Sequence, residues 1–274
     1  MPRLLLLALL AVSSTSHAIV IRHDVPDADY RIPASAFPAL VDMPHEGHGV
    51  LIAPQWVITA AHTVPGHGGL KQVVIGGTPR DVEDVVIHPG YARPPQALID
   101  QALSTGEWIL TVVQIASVDD IALIKLVDPV ADVAPAALHK ARAEPGQTLQ
   151  LIGKGATGTG ADGHDPQGPN RTELRRGFNT ITSAHDRWFC YVFDEPEAAL
   201  PLEAKTGSGD SGGPALVEAE GQWELAGLAA WGFIHGDVRT ARPGRYGQFT
   251  CNVRLSHYAD WIERVVSGAP QEQG

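Results

Sequence analysis

Short apolar runs with polar alternation recur along the chain and are separated by turn-forming residues. They include Gly49-Val50-Leu51-Ile52, Gln72-Val73-Val74-Ile75, Val85-Val86-Ile87, Ile121–Val127, Thr148–Ile152 and Trp223–Leu228. A period of two places alternate side chains on opposite faces of a strand, so these runs predict an all-β architecture. The pattern does not by itself separate a barrel from a sandwich. Two regions break it. Residues 92–119 hold Pro95–Leu103, which predicts the start of a short helix, and the apolar run Trp108-Ile109-Leu110-Thr111-Val112-Val113. The start of the chain has a basic residue, Arg3, then an apolar run to Val12, then small residues around Ser16-His17-Ala18. This is the layout of a signal peptide cleaved after Ala18; the run is too short to span a bilayer, and no other segment is long enough.

Composition narrows the partners. The chain has 20 basic and 31 acidic residues, a formal charge of −11. Removing residues 1–18 takes away one basic residue and no acidic one, so the mature chain is more negative still. Such a surface repels phosphate backbones, which argues against nucleic acid as a partner. There are two cysteines, Cys190 and Cys251. In an exported chain a disulfide between them is expected, with two buried free thiols as the alternative. Low cysteine, abundant alanine and arginine over lysine suggest a bacterial exported protein in the periplasm or the medium. His45-Glu46-Gly47-His48 is not a zinc-binding HExxH, and Gly153–Gly160 lacks the order of a phosphate loop. No metal and no cofactor are expected. The stretch from Gly153 to Asn170 reads as a surface loop.

The candidate chemistry lies in three blocks. Gly209-Asp210-Ser211-Gly212-Gly213-Pro214 puts a serine hydroxyl in a glycine-flanked turn, where backbone N–H groups can converge on one oxygen. Thr59-Ala60-Ala61-His62 ends an apolar strand on a histidine, a general base suited to neutral pH. Asp119-Asp120-Ile121-Ala122-Leu123 leads two carboxylates into a strand. Strand neighbours point to opposite faces, so one of the two turns inward. Asp120, directly before Ile-Ala-Leu, is the choice.

In their order His, Asp, Ser, these blocks resemble the chymotrypsin/trypsin-type serine protease family. Ala230-Trp231-Gly232 is similar to the family's substrate-binding strand, and His257–Ile262 to its C-terminal helix. The resemblance implies two six-stranded antiparallel β-barrels joined through Asp128–Ala137, with the site between them. The barrels would cover about 19–134 and 135–254, the helix about 255–267, and 268–274 would be a tail. It implies Ser211 as nucleophile, His62 as base, Asp120 as orienter, and the Gly209 and Ser211 N–H groups as oxyanion hole. It also implies that Ile19, freed by signal cleavage, pairs its ammonium with Asp210. The specificity pocket would be based on Lys205, six residues before Ser211, with Ala230, Trp231 and Gly232 as wall. An offset of a residue or two brings Glu203 there instead, and acidic, basic and apolar preferences stay open. Residues 92–119 exceed the family's usual length and either narrow the cleft or decorate the first barrel. The implied function is a monomeric exported serine endopeptidase acting on proteins or peptides. A non-catalytic binding protein on the same scaffold and an esterase-like hydrolase are the alternatives.

Overall fold

The computed structural model describes residues 19–65, 69–142, 145–168 and 173–269. The expected signal peptide, residues 1–18, lies outside them, as do Asn170 and residues 270–274. The chain opens with β1 (Val20–Ile21) and the short helix α1 (Asp27–Tyr30). A first closed barrel follows. It is built from β2 (Leu40–Asp42), β3 (His48–Ala53), β4 (Trp56–Thr59), β5 (Gln72–Ile75) and β6 (Thr78–Ile87). Helices α2 (Gln96–Thr105) and α3 (Ile109–Ala116) then precede its sixth strand, β7 (Ala122–Leu126). The strand order is β2-β3-β4-β7-β6-β5.

The second half contains β8 (Thr148–Gly153), β9 (Gly158–Thr159), β10 (Gly163–His164), β11 (Arg175–His185) and β12 (Trp188–Val192). It continues with β13 (Ala204–Lys205), β14 (Pro214–Ala219), β15 (Gln222–Gly232) and β16 (Phe249–Arg254). The second closed barrel has the order β11-β12-β16-β15-β14-β8. A 3-10 turn at Leu255–His257 leads into α4 (Ala259–Ser267). Gly268, in the left-handed conformation at φ +71°, caps this helix, and the Ala269 N–H donates to Arg264 O at 3.0 Å. The expected architecture of two six-stranded barrels and a C-terminal helix is what the chain forms.

The barrels close around buried apolar side chains, and in β3 and β4 both faces of the strand are covered. Val50, Leu51, Val57, Ile58, Ile75 and Leu123 are fully buried in the first, and Leu149, Leu151, Val217 and Phe189 in the second. Burying each large side chain contributes about 1.5–3 kcal/mol. Cys190 and Cys251 face each other across β12 and β16 and form the expected disulfide. One expectation fails. The stretch after Gly153 is not a plain surface loop, because β9 pairs with β1 and with β10. Its residue His164 is only 4 % exposed. The pairing partner β1 is distant in sequence, so no local pattern announces it.

Candidate active site

His62 sits in a 3-10 turn, Ala61–Thr63, immediately after β4. Hydroxyl groups pin this turn: Thr59 Oγ1 donates to His48 O at 2.6 Å, and Thr63 Oγ1 donates to Ala60 O at 2.8 Å. Asp120 is buried at the entrance to β7. Its Oδ1 accepts the His62 backbone N–H at 2.8 Å, and its Oδ2 lies 2.7 Å from His62 Nδ1. A carboxylate only accepts, so Nδ1 carries the proton and Nε2 keeps its lone pair. Burial works against charging the ring, but the Asp120 carboxylate outweighs it and lifts the His62 pKa above its ordinary value. Burial, with the Asp120 charge added, pushes the Tyr91 hydroxyl up to about 12.

The neighbouring Asp119 turns the other way. Its Oδ1 accepts from Arg187 Nε at 3.0 Å and from Tyr258 Oη at 2.9 Å. The two adjacent carboxylates, both just before β7, thus go to different partners.

Ser211 lies in the turn between β13 and β14. Its carbonyl accepts the His48 N–H at 2.7 Å, and the next N–H, of Gly212, donates to Ala229 O at 2.7 Å. Gly209 has φ +86° and Gly212 φ +71°, a region in which other residues are strained. The N–H groups of Gly209 and Ser211 make no backbone hydrogen bond among the described residues, which leaves both donors for an incoming oxygen. A Cβ on Gly47 would touch both Ser211 O and Thr63 Cγ2, so the serine turn packs beside the histidine turn. Among the described residues no hydrogen bond joins Ser211 Oγ to His62. The structure therefore brings the serine and the His62–Asp120 pair to one cleft without closing the last contact.

Asp210 is wholly buried behind Ser211. It accepts N–H bonds from Gly155 at 2.7 Å and from Gly207 at 2.8 Å. Burial pushes its pKa up. The nearest cationic candidate is His48 Nε2, 4.0 Å away. Ile19 is also fully buried, and a Cβ on Gly153 would meet both Asp210 Oδ1 and Ile19 Cγ2. The first residue after the expected cleavage point therefore lies next to this carboxylate.

A cavity of about 210 Å³ opens beside Ser211. Lys205, Ala230, Trp231 and Gly232 line it, as the sequence reading expects. Glu203 does not; its carboxylate accepts the N–H groups of Asp194 and Leu200 at 2.7 and 2.8 Å. Three lining residues, His164, Gln248 and Trp108, have no signal in the sequence that would place them here. Trp108 comes from the α2–α3 insertion, which crosses to the second barrel. Its ring stacks on Phe233 at 6.3 Å between centroids, and its Nε1 donates to Ile234 O at 3.4 Å. Trp188 Nε1 donates to Ala116 O at 2.8 Å at the end of α3, and Arg239 Nη1 donates to Ser104 O at 3.0 Å. The insertion is thus anchored on the opposite barrel rather than packed on its own.

The family model named Trypsin matches residues 29–262. The chain belongs to the trypsin family. The chain is also similar to the atrial natriuretic peptide-converting enzymes of Mus musculus and Rattus norvegicus. Each is 28 % identical over 233 residues, covering 79 % of this chain but 18 % of the relative. The chain therefore spans less than a fifth of those proteins. Among solved structures, neuropsin, a serine protease expressed in the limbic system of mouse brain, matches with a TM-score of 0.64 at 20 % identity. That match covers 86 % of this chain and 98 % of neuropsin, and it establishes the trypsin-type fold.

Proposed function

We propose that this chain is an exported serine endopeptidase that hydrolyses peptide bonds through an acyl-enzyme. The observation that carries the reading is the pair of Asp120 contacts to His62, in one cleft with Ser211. Ser211 Oγ attacks the scissile carbonyl carbon while His62 Nε2 takes its proton. The same nitrogen then protonates the leaving amine, and water repeats the sequence to release the acid. Asp120 holds the imidazole and stabilises its charged form. The Gly209 and Ser211 N–H groups receive the oxyanion. Cleavage after Ala18 frees the Ile19 ammonium to pair with buried Asp210, so removal of the signal peptide alone produces the active form. The Cys190–Cys251 disulfide suits an oxidising compartment outside the cytoplasm.

A fluorescent fluorophosphonate is expected to label the mature protein and to miss Ser211→Ala, and N-terminal sequencing is expected to start at Ile19. Absence of label would assign the scaffold to binding, and turnover of esters without peptides would assign it to an esterase. Asp120→Asn is expected to lower kcat by about 10⁴-fold, the size of loss such triads show. It also removes the charge that raises the His62 pKa. Because the base must be neutral to work, the acid limb of the pH–rate profile moves to lower pH. A variant with an unchanged acid limb would count against the assigned base.

A further inference from the structure

The specificity pocket contains an unpaired buried cation. Lys205 is 6 % exposed, and its Nζ donates to one neutral acceptor, Thr206 O, at 3.4 Å. No carboxylate makes an ion pair with it among the described residues; Asp210 acts on the ammonium only through its charge, without a hydrogen bond to it. Isolated ammonium groups are expensive to bury, and the interior of a fold normally supplies them with a counter-charge. The carboxylates nearby are committed elsewhere. Asp210 is held by backbone N–H groups behind the serine, and Glu203 is held by those of Asp194 and Leu200.

The rest of the pocket carries no opposing charge. Lys205 is the only lining residue with a formal charge among those described. Gln248 spends its amide on the chain, accepting from Gly244 N–H at 2.7 Å and donating to Arg242 O at 2.9 Å. His164 accepts the Ser208 N–H through Nε2 at 3.1 Å, which leaves the ring neutral with its proton on Nδ1. Burial, with the nearby Lys205 charge, pulls its pKa down to about 4. Trp108 and Trp231 bound the pocket with apolar surface, which limits water beside the ammonium.

We propose that this pocket selects an acidic side chain, so that the enzyme cleaves after glutamate or aspartate with Lys205 as the specificity-determining residue. This rests on the reading of Ser211 as nucleophile, because the pocket is defined by its position beside that serine. A substrate carboxylate supplies the counter-charge that the fold withholds, through a charge-assisted hydrogen bond to Nζ. A basic side chain meets a like charge, and an apolar one strips water from the ammonium while offering nothing in return. Burial pulls the Lys205 ammonium down to about 8, which still leaves it charged at neutral pH.

Two measurements test this separately from the nucleophile. Fluorogenic peptides differing only in Glu, Gln, Lys or Leu before the scissile bond are assayed with the mature wild-type enzyme. Peptides ending in Glu or Gln are titrated calorimetrically into Ser211→Ala, which needs no catalysis. Glu is expected to exceed Gln by about 10- to 100-fold in both assays, the range for a hydrogen bond to a charged group. Lys205→Met is expected to bring Glu and Gln to parity. Gln equal to Glu in wild type, or an unchanged Glu preference in Lys205→Met, would overturn the assignment. Fluorophosphonate labelling of the wild-type protein reports on Ser211 independently. If label is absent, the binding arm still decides the pocket.

Discussion

Arg175 and Lys205 are both buried cations in the second half of the chain, and the fold treats them in opposite ways. Arg175 is fully buried on β11 and is clasped by Asp27 through two contacts, Nε to Oδ1 at 2.7 Å and Nη2 to Oδ2 at 3.0 Å. Its Nη1 donates to Glu173 O at 2.9 Å. That set joins the segment carrying α1 to the barrel wall. Lys205 is nearly as buried and has no such carboxylate. The difference separates structure from function. A satisfied buried charge completes the fold, whereas an unsatisfied one facing a cavity awaits a ligand.

Removing each cation tests the contrast, and the first effect is the largest. Arg175→Met takes the buried partner from the Asp27 carboxylate, which keeps its part-buried contact to Arg31 Nε at 2.6 Å, and is expected to cost about 3–5 kcal/mol, the range for breaking a buried pair. Denaturant unfolding measures it, and a loss under about 1 kcal/mol would erase the distinction.

Lys205→Met is expected to do the reverse at neutral pH. The folded value of Lys205 is about 8 against an ordinary 10.5, so the fold penalises the charged form. That penalty is complete below about 8 and vanishes as pH rises past 10.5. The substitution is therefore expected to stabilise the unliganded protein by up to about 3 kcal/mol at pH 7, with a gain that shrinks at alkaline pH. Calorimetric Tm values at the two pH extremes check this. A destabilised variant would mean that the ammonium has a partner. The preference of the wild type for Glu over Gln is expected to fade above about pH 8. The groups interacting with the ammonium are Asp210 and His164, and the latter is neutral throughout that range.

The smallest expected effect belongs to Trp108→Ala, which wets the pocket mouth. The Glu-to-Gln ratio should fall roughly threefold, because water weakens charge interactions. An unchanged ratio would reduce the insertion to a brace between the barrels.

Much of this was legible in sequence because it is local. Alternation marked the strands; of the two adjacent carboxylates before β7, Asp120, the one the sequence reading chose, is the one that contacts His62. Counting back from Ser211 reached Lys205, but whether Glu203 replaced it depended on backbone donors at Asp194 and Leu200. His164 reaches the pocket through β9 and β10, whose pairing to β1 spans more than a hundred residues. Trp108 lies in a helical insertion that crosses the cleft. No periodicity encodes such contacts, because they arise from packing between distant segments.

Asp119 has a mechanical consequence. It grips Arg187 of the second barrel and Tyr258 at the start of the C-terminal helix, while its covalent neighbour holds the imidazole. A shear of one barrel against the other must stretch that grip and tug the peptide unit that carries Asp120. The two barrels are thus tied together one residue away from the carboxylate that contacts His62.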